Sequence, residues 1–179
     1  YWGESFFAAC SQFLSLFPGK TGSYLRVGCY RFALDYCSED SYIGFGTVFS
    51  QRATFIGKRV YIGPQCNIGA CRIGTDTLVA SGVHIMSGTR QHGIESLEEP
   101  IREQAGSYKQ ISIGNDCWIG NSALVMADVG DQAVDGAGTV VSQALEDSVI
   151  AVGKPARIIR NMEVYQTPDV PAASLPKSS

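Results

Sequence analysis

Between residues 43 and 141 an aliphatic residue returns at six-residue spacing or close to it. Ile43, Ile56, Ile62, Ile68, Ile73, Ile113 and Ile119 are each followed by glycine. Phe49, Val79, Ile85, Val125 and Val141 take the same slot with other successors. A second series lies four residues past most slots: Thr47, Ala53, Val60, Cys66, Thr77, Val83, Cys117, Ala123 and Thr139, all small or β-branched. Six is an even number, so a short strand in each repeat keeps one face inward. The glycine behind the aliphatic residue is expected to permit the backbone turn into the next flat face. No single repeat can bury its apolar face alone, whereas stacked repeats bury a continuous column. The spacing therefore predicts a mainly β protein, a parallel β-helix of hexapeptide repeats.

The period breaks in informative places. Phe55 is one residue too many, the step from Ile68 to Ile73 is one too few, and the run from Val125 to Asp135 falls two short of two repeats. These breaks read as altered corners. Asp135 stands where most repeats place an aliphatic residue, and the spacing supplies no reason for it. The largest break runs from about Met86 to Gln110 and holds Gln91, His92, Gly93, Glu95, Glu98, Glu99, Arg102 and Glu103. Loops this long inside a compact domain are uncommon and usually functional, so the segment is expected to project as an arm.

Ahead of the repeats, Phe6 to Phe17 is an apolar, helix-like run stopped by Pro18-Gly19. Thr21 is placed to cap a second helix reaching about Cys37, which carries Tyr24, Leu25, Tyr30, Phe32 and Leu34 together with Arg26 and Arg31. One reading has these helices covering the open first coil, where unpaired strand edges would otherwise be exposed. The other makes them an interfacial segment in peripheral contact with a membrane. After Asn161 come Pro168, Pro171 and Pro176 among serine and alanine. The organisation expected is a helical cap over 1–38, a β-helix domain over 39–162 with its arm at about 86–110, and a flexible tail over 163–179.

Composition narrows the chemistry. With 179 residues, 45% hydrophobic and 17% charged, the chain has the make-up of one globular domain. A net charge of −3 supplies no broad basic footprint, so nucleic acid is not an expected partner. Six cysteines without a CxxC pair point to reduced, mostly buried thiols in a cytoplasmic protein. There are only two histidines, neither at ligand spacing from a cysteine, so no metal is expected. No apolar run approaches the roughly 18–20 residues a membrane span needs, and no signal peptide is visible.

The repeats, the arm, the segment Ile111-Ser-Ile-Gly-Asn-Asp-Cys-Trp-Ile-Gly-Asn121 and the segment Val152-Gly-Lys-Pro-Ala-Arg-Ile-Ile-Arg160 resemble the hexapeptide-repeat acyltransferases. Within that family the likeness is to galactoside and maltose O-acetyltransferases and to the sugar O-acetyltransferases of polysaccharide biosynthesis. It covers about residues 40 to 162, with the Trp-Ile-Gly, Gly-Ala-Gly and Gly-Lys-Pro-Ala-Arg elements in the family's order. The resemblance implies a left-handed β-helix, a homotrimer with active sites between subunits, acetyl-coenzyme A as acyl donor, and a sugar or glycoconjugate acceptor.

It also assigns residues. His92 follows Ile85-Met-Ser-Gly88 with Thr89-Arg90-Gln91 intervening, and takes the place of the family's general base. A hydroxyl attacking a thioester needs a base, and imidazole titrates close to neutral pH. No nucleophile-elbow motif is present, in keeping with direct transfer without an acyl-enzyme. His84 competes from the outward position of its repeat, where it is placed to line the same cleft as a substrate contact, although a structural role is the stronger expectation. Glu95 or another arm carboxylate would orient the imidazole, and the sequence does not choose among them.

On the donor side, Trp118 matches the tryptophan flanking the pantetheine arm, and Asn121 the position whose backbone N–H approaches the thioester. Ala137 and Ser142 match further contacts to that arm. Arg157 and Arg160, with Lys154 beside them, match the cations near the nucleotide phosphates. On the acceptor side, Ser50 and Gln51 are the candidates, Ser50 standing where the galactoside relatives place an asparagine. Two other classes stay open: an N-acetyltransferase for an amino sugar or amino acid, and a non-catalytic structural β-helix or lipid-associated binding module. A carbonic-anhydrase-type metal site would need three histidines, more than the chain has.

Overall fold

The computed structural model describes residues 2–162; the proline-containing segment 163–179, expected to form a flexible tail, lies outside the described residues. Two helices come first, α1 (Trp2–Ser15) and α2 (Gly19–Ala33). Nine short strands precede the arm: β1 (Tyr36–Cys37), β2 (Tyr42–Ile43), β3 (Val48–Phe49), β4 (Thr54–Ile56), β5 (Tyr61–Ile62), β6 (Asn67–Ile68), β7 (Cys71–Ile73), β8 (Leu78–Val79) and β9 (His84–Ile85). Seven follow it: β10 (Ile111–Ile113), β11 (Trp118–Ile119), β12 (Leu124–Val125), β13 (Val134–Asp135), β14 (Val140–Val141), β15 (Val149–Val152) and β16 (Arg157–Asn161). No helix among the described residues is long and apolar enough to cross a membrane.

Strands from successive coils pair in parallel, and the three resulting sheets enclose a β-solenoid of about six turns. The first sheet runs β1-β4-β7-β10, the second β2-β5-β8-β11-β13-β15-β16, and the third β3-β6-β9-β12-β14. Val129 and Leu145 extend the first sheet as single bridges. β16 folds back antiparallel on β15 at the end of the stack. Slot residues stack directly on one another, Ile43 on Ile62, Ile62 on Val79 and Val79 on Ile119, all fully buried. The hexapeptide β-helix expected from spacing is the observed fold.

The glycines behind the slots serve a different purpose from the one expected. None of Gly44, Gly57, Gly63, Gly74, Gly114 and Gly120 has positive φ. The left-handed corner falls two residues later, on Gly46, Arg59, Gln65, Asp76, Gly82, Asp116, Ser122, Gln132 and Gly138. What excludes a side chain is the next coil: a Cβ on Gly57 would lie 2.9 Å from the Gly74 carbonyl carbon, and one on Gly63 2.8 Å from that of Ala80. The glycine column lets adjacent corners approach. Ala53 also departs from expectation. The extra residue at Phe55 makes β4 three residues long, so Thr54 and Ile56 both point inward and Ala53 is left exposed.

The two helices close the first coil. The second starts behind Pro18, with no side-chain cap from Thr21, and ends at Ala33 because Tyr36 and Cys37 already pair with β4. An open solenoid end presents unpaired N–H and C=O groups. Here the N–H groups of Ile43 and Phe49 donate to Ser23 Oγ (3.2 Å) and Ser11 Oγ (2.8 Å). In the opposite sense, Arg26 Nε donates to the Ile43 carbonyl at 3.0 Å. Phe7, Val27, Tyr30 and Leu34 join the core cluster, with the Tyr30 ring 4.5 Å from that of Phe49. All six cysteines are free, and burial pushes the Cys71 thiol up to about 12.

Candidate active site

Outward residues form columns just as inward ones do. On the third sheet Val48, Asn67, His84, Leu124 and Val140 lie in register on successive coils. The chain leaves this sheet after Ile85 and rejoins the solenoid at Ile111 in the first sheet, and the segment between them projects as the arm. Its root is closed by the Lys109 N–H on the Ser87 carbonyl (2.9 Å) and the Ser107 N–H on the Arg90 carbonyl (2.7 Å). Ser87 Oγ accepts the Ala70 N–H at 2.9 Å, which ties the root to the preceding coil. Farther out, the Gln104 side-chain amide donates to the carbonyls of Ser96 and Glu99 and holds the tip together.

Two clefts flank this root. The first, about 300 Å³, is lined by Ser50, Gln51, Asn67, His84, Gln91 and Tyr108, among others. The second, about 220 Å³, includes Thr89, Arg90, Ser107, Lys109, Met126 and Ser142. Arg90 and Gln91, adjacent in sequence, thus serve opposite clefts. His92 comes next, exposed on the arm, lining neither cleft and making no side-chain hydrogen bond among the described residues. Glu95 accepts the neighbouring Ile94 N–H at 2.8 Å rather than an imidazole N–H. Lys109 bonds Asp128 at 2.6 Å; burial works upward on that carboxyl, but Lys109 and the Ser112 N–H outweigh it and hold it below the usual range.

The donor-side candidates are strung along the later coils. Trp118, 56% exposed, stands on the outer face of the second sheet between Leu78 and Val134. Asn121 is exposed at the corner after β11, and its carbonyl accepts the Gly138 N–H at 2.7 Å. The Asn121 N–H itself makes no hydrogen bond among the described residues. Ala137 is exposed in the Gly136–Gly138 corner, and Ser142 is half-buried in the second cleft. Lys154, Arg157 and Arg160 are exposed at the end of the solenoid, Arg160 opposite Ile150.

Asn67 and Tyr108 join the first cleft without having been singled out from sequence. Asn67 had a readable signal: it precedes slot Ile68 and lies 17 residues, one coil, before His84. Tyr108 had none, since nothing in an aperiodic arm states which way a residue turns. His84 is exposed and lines the same cleft.

Gly106 gives a test of the arm. A Cβ there would land on the Gln91 carbonyl and 2.7 Å from the His92 nitrogen. Gly106→Ala must therefore displace the arm segment that carries His92. The thermal midpoint should move by no more than about 2 °C, since the exposed arm carries little of the core.

No protein-family model matches the chain. Galactoside O-acetyltransferase of Escherichia coli (strain K12) is 33% identical over 94 residues, which cover 50% of this chain and 43% of that protein. The chain spans about half the length of the curated relatives it matches. A hexapeptide-repeat acetyltransferase of Vibrio cholerae, VCA0836, superposes with a TM-score of 0.75 at 18% identity, over 89% of this chain and 92% of that one. A galactoside acetyltransferase in complex with coenzyme A gives a TM-score of 0.75 at 23% identity, over 90% and 83%. At these identities the structural likeness establishes a shared fold. The resemblance to hexapeptide-repeat acetyltransferases thus holds in sequence and in architecture.

Proposed function

We propose that this protein is an acetyl-coenzyme-A-dependent O-acetyltransferase that modifies a sugar hydroxyl in polysaccharide or glycoconjugate biosynthesis. The observation that carries the reading is the pair of clefts at the root of the arm, Arg90 lining one and its neighbour Gln91 the other, with His92 next in the chain. The matched galactoside acetyltransferase structure contains coenzyme A. The residues here suit the same ligand: a free Asn121 N–H, a small exposed Ala137, and three exposed cations at Lys154, Arg157 and Arg160. Bound acetyl-coenzyme A would supply the activated acetyl thioester.

In this reading Trp118 flanks the pantetheine arm, Asn121 donates its N–H to the thioester oxygen, and Ala137 and Ser142 line the passage. Arg157 and Arg160, with Lys154, hold the phosphates. The first cleft takes the acceptor. Its named side chains are hydroxyls, amides, an imidazole and a phenol, all able to exchange hydrogen bonds with a polyol, and Tyr108 adds an aromatic face. No carboxylate lines it, so an ammonium acceptor would find no counter-charge there, which favours oxygen over nitrogen as the nucleophile. His92 removes the hydroxyl proton and passes it toward the departing thiol. Ile94, Leu97 and Ile101 on the arm are exposed, which suits an arm lying against a neighbouring subunit of a homotrimer. Exposed Phe6, Phe13, Leu16, Tyr24 and Phe32 on the helices suit a cytoplasmic protein resting against the membrane's inner face.

Calorimetry with coenzyme A, followed by thiol release from acetyl-coenzyme A across hydroxyl and amino sugars, tests the reading. Binding and turnover with neutral sugars are expected. Failure to bind coenzyme A would sink the enzyme assignment, and turnover confined to amino sugars would replace O- with N-acetylation.

A further inference from the structure

Asp135 is 1% exposed, in a slot filled elsewhere by aliphatic residues. It sits in register between Ile119 of β11 and Ala151 of β15. No group meets either carboxyl oxygen at full hydrogen-bond geometry, and Thr139 Oγ1, on the same coil and fully buried, is the one polar group near enough to favour the anion. The inward residues of its own coil are Val129, Ala133, Thr139 and Val141, and those below are Leu145, Val149 and Ala151. Above lie Ile113, Cys117, Ile119, Ala123 and Val125; Cys117 alone can titrate, and burial pushes its thiol up, so it stays neutral. No charge faces Asp135 from any element packed against it. Burial raises its carboxyl to about 7, the Thr139 hydroxyl acting in the opposite sense.

The backbone around this carboxyl is the rear of the donor-side wall. The Asp135 carbonyl accepts the Gly120 N–H at 2.7 Å, the Gly136 N–H donates to Ala151 at 2.9 Å, and the Gly138 N–H donates to Asn121 at 2.7 Å. Outside, Val134 lies beside Trp118. An anion cannot stay in a dry aliphatic column without water or a counter-ion reaching it. Either response displaces β13 and the Gly136–Gly138 corner.

We propose that Asp135 is a pH-sensitive positioning residue: its protonated side chain keeps the wall formed by Trp118, Asn121 and Ala137 in place, and loss of that proton loosens the wall. The inference rests on the donor-site reading above for its consequence, but not for the local change.

The test separates the two. In a Trp2→Phe background, which leaves Trp118 as the single tryptophan, fluorescence is followed from about pH 5 to about pH 9. A transition centred near neutrality is expected, absent from Asp135→Val and Asp135→Asn; the asparagine keeps the shape without the titration. The same transition in both variants would overturn the proposal. Calorimetry with coenzyme A should then show affinity falling severalfold more from about pH 6 to about pH 8.5 in the parent than in either variant, a comparison that cancels the ligand's own titration. A fluorescence transition without that difference overturns the link to the donor wall. Absence of coenzyme A binding at every pH overturns the donor-site reading and that link, while the fluorescence still decides the local switch.

Discussion

Replacing His92 with alanine is expected to lower kcat for acetyl transfer about 10²–10⁴-fold, the usual contribution of a positioned general base. The Kd for coenzyme A should change less than about 2-fold, because His92 lines neither cleft. The split matters, since both histidines lie near the arm's root. His84 projects into the first cleft from the third-sheet column, beside Asn67. His84→Ala should therefore raise the acceptor's KM while leaving kcat within about 10-fold, the behaviour of a residue that binds rather than transfers protons. If His84→Ala abolishes kcat and His92→Ala only raises KM, the two roles are reversed.

The β-helix could be read from sequence because the six-residue period is a local statement repeated many times. Each slot from Ile43 to Val141 is tested by its neighbours, so one irregular corner does not hide the rest. The arm was visible for the converse reason, as the place where the period stops. Contacts between coils were harder. The glycine after each slot looks like a turn residue in one repeat, yet its reason lies in the next coil, where Gly74 approaches Gly57. Asn67 and His84 become neighbours only after the coil length is known. Tyr108 and the arm's route past Arg90 and Gln91 depend on tertiary folding of an aperiodic segment, for which local propensity has no voice. Asp135 was conspicuous in sequence as a polar residue in an apolar slot, but its isolation from any charge or well-aligned donor is a property of the assembled column.

Arg26→Met is expected to destabilise the fold by about 3 kcal/mol, and so to lower the thermal midpoint by roughly 6–12 °C for a protein of this size. Arg26 is 0% exposed, and no carboxylate neutralises it. Burial accordingly lowers its affinity for its proton, although a guanidinium keeps its charge across the physiological range. Its value lies in three carbonyls: Nε reaches Ile43 at 3.0 Å, while Nη1 reaches Leu14 at 3.1 Å and Phe17 at 2.7 Å. Leu14 keeps a second donor in the Phe17 N–H, at 3.4 Å, but Phe17 and Ile43 have no other donor among the described residues. Methionine fills a similar volume and leaves the buried Ile43 carbonyl unmatched at about 1–3 kcal/mol, and the part-buried Phe17 carbonyl at the lower end of that range. Relief from burying a cation, with Nη2 unsatisfied, offsets part of that loss. Arg26→Lys should not rescue the fold, since one ammonium cannot span acceptors on α1, its following turn and β2 at once. Hydrogen exchange should locate the damage, with faster exchange at the Ile43 and Phe49 amides that Ser23 and Ser11 cap. Thermal midpoints of Arg26→Lys or Arg26→Met matching wild type would show that the guanidinium does not clamp the helices to the open coil.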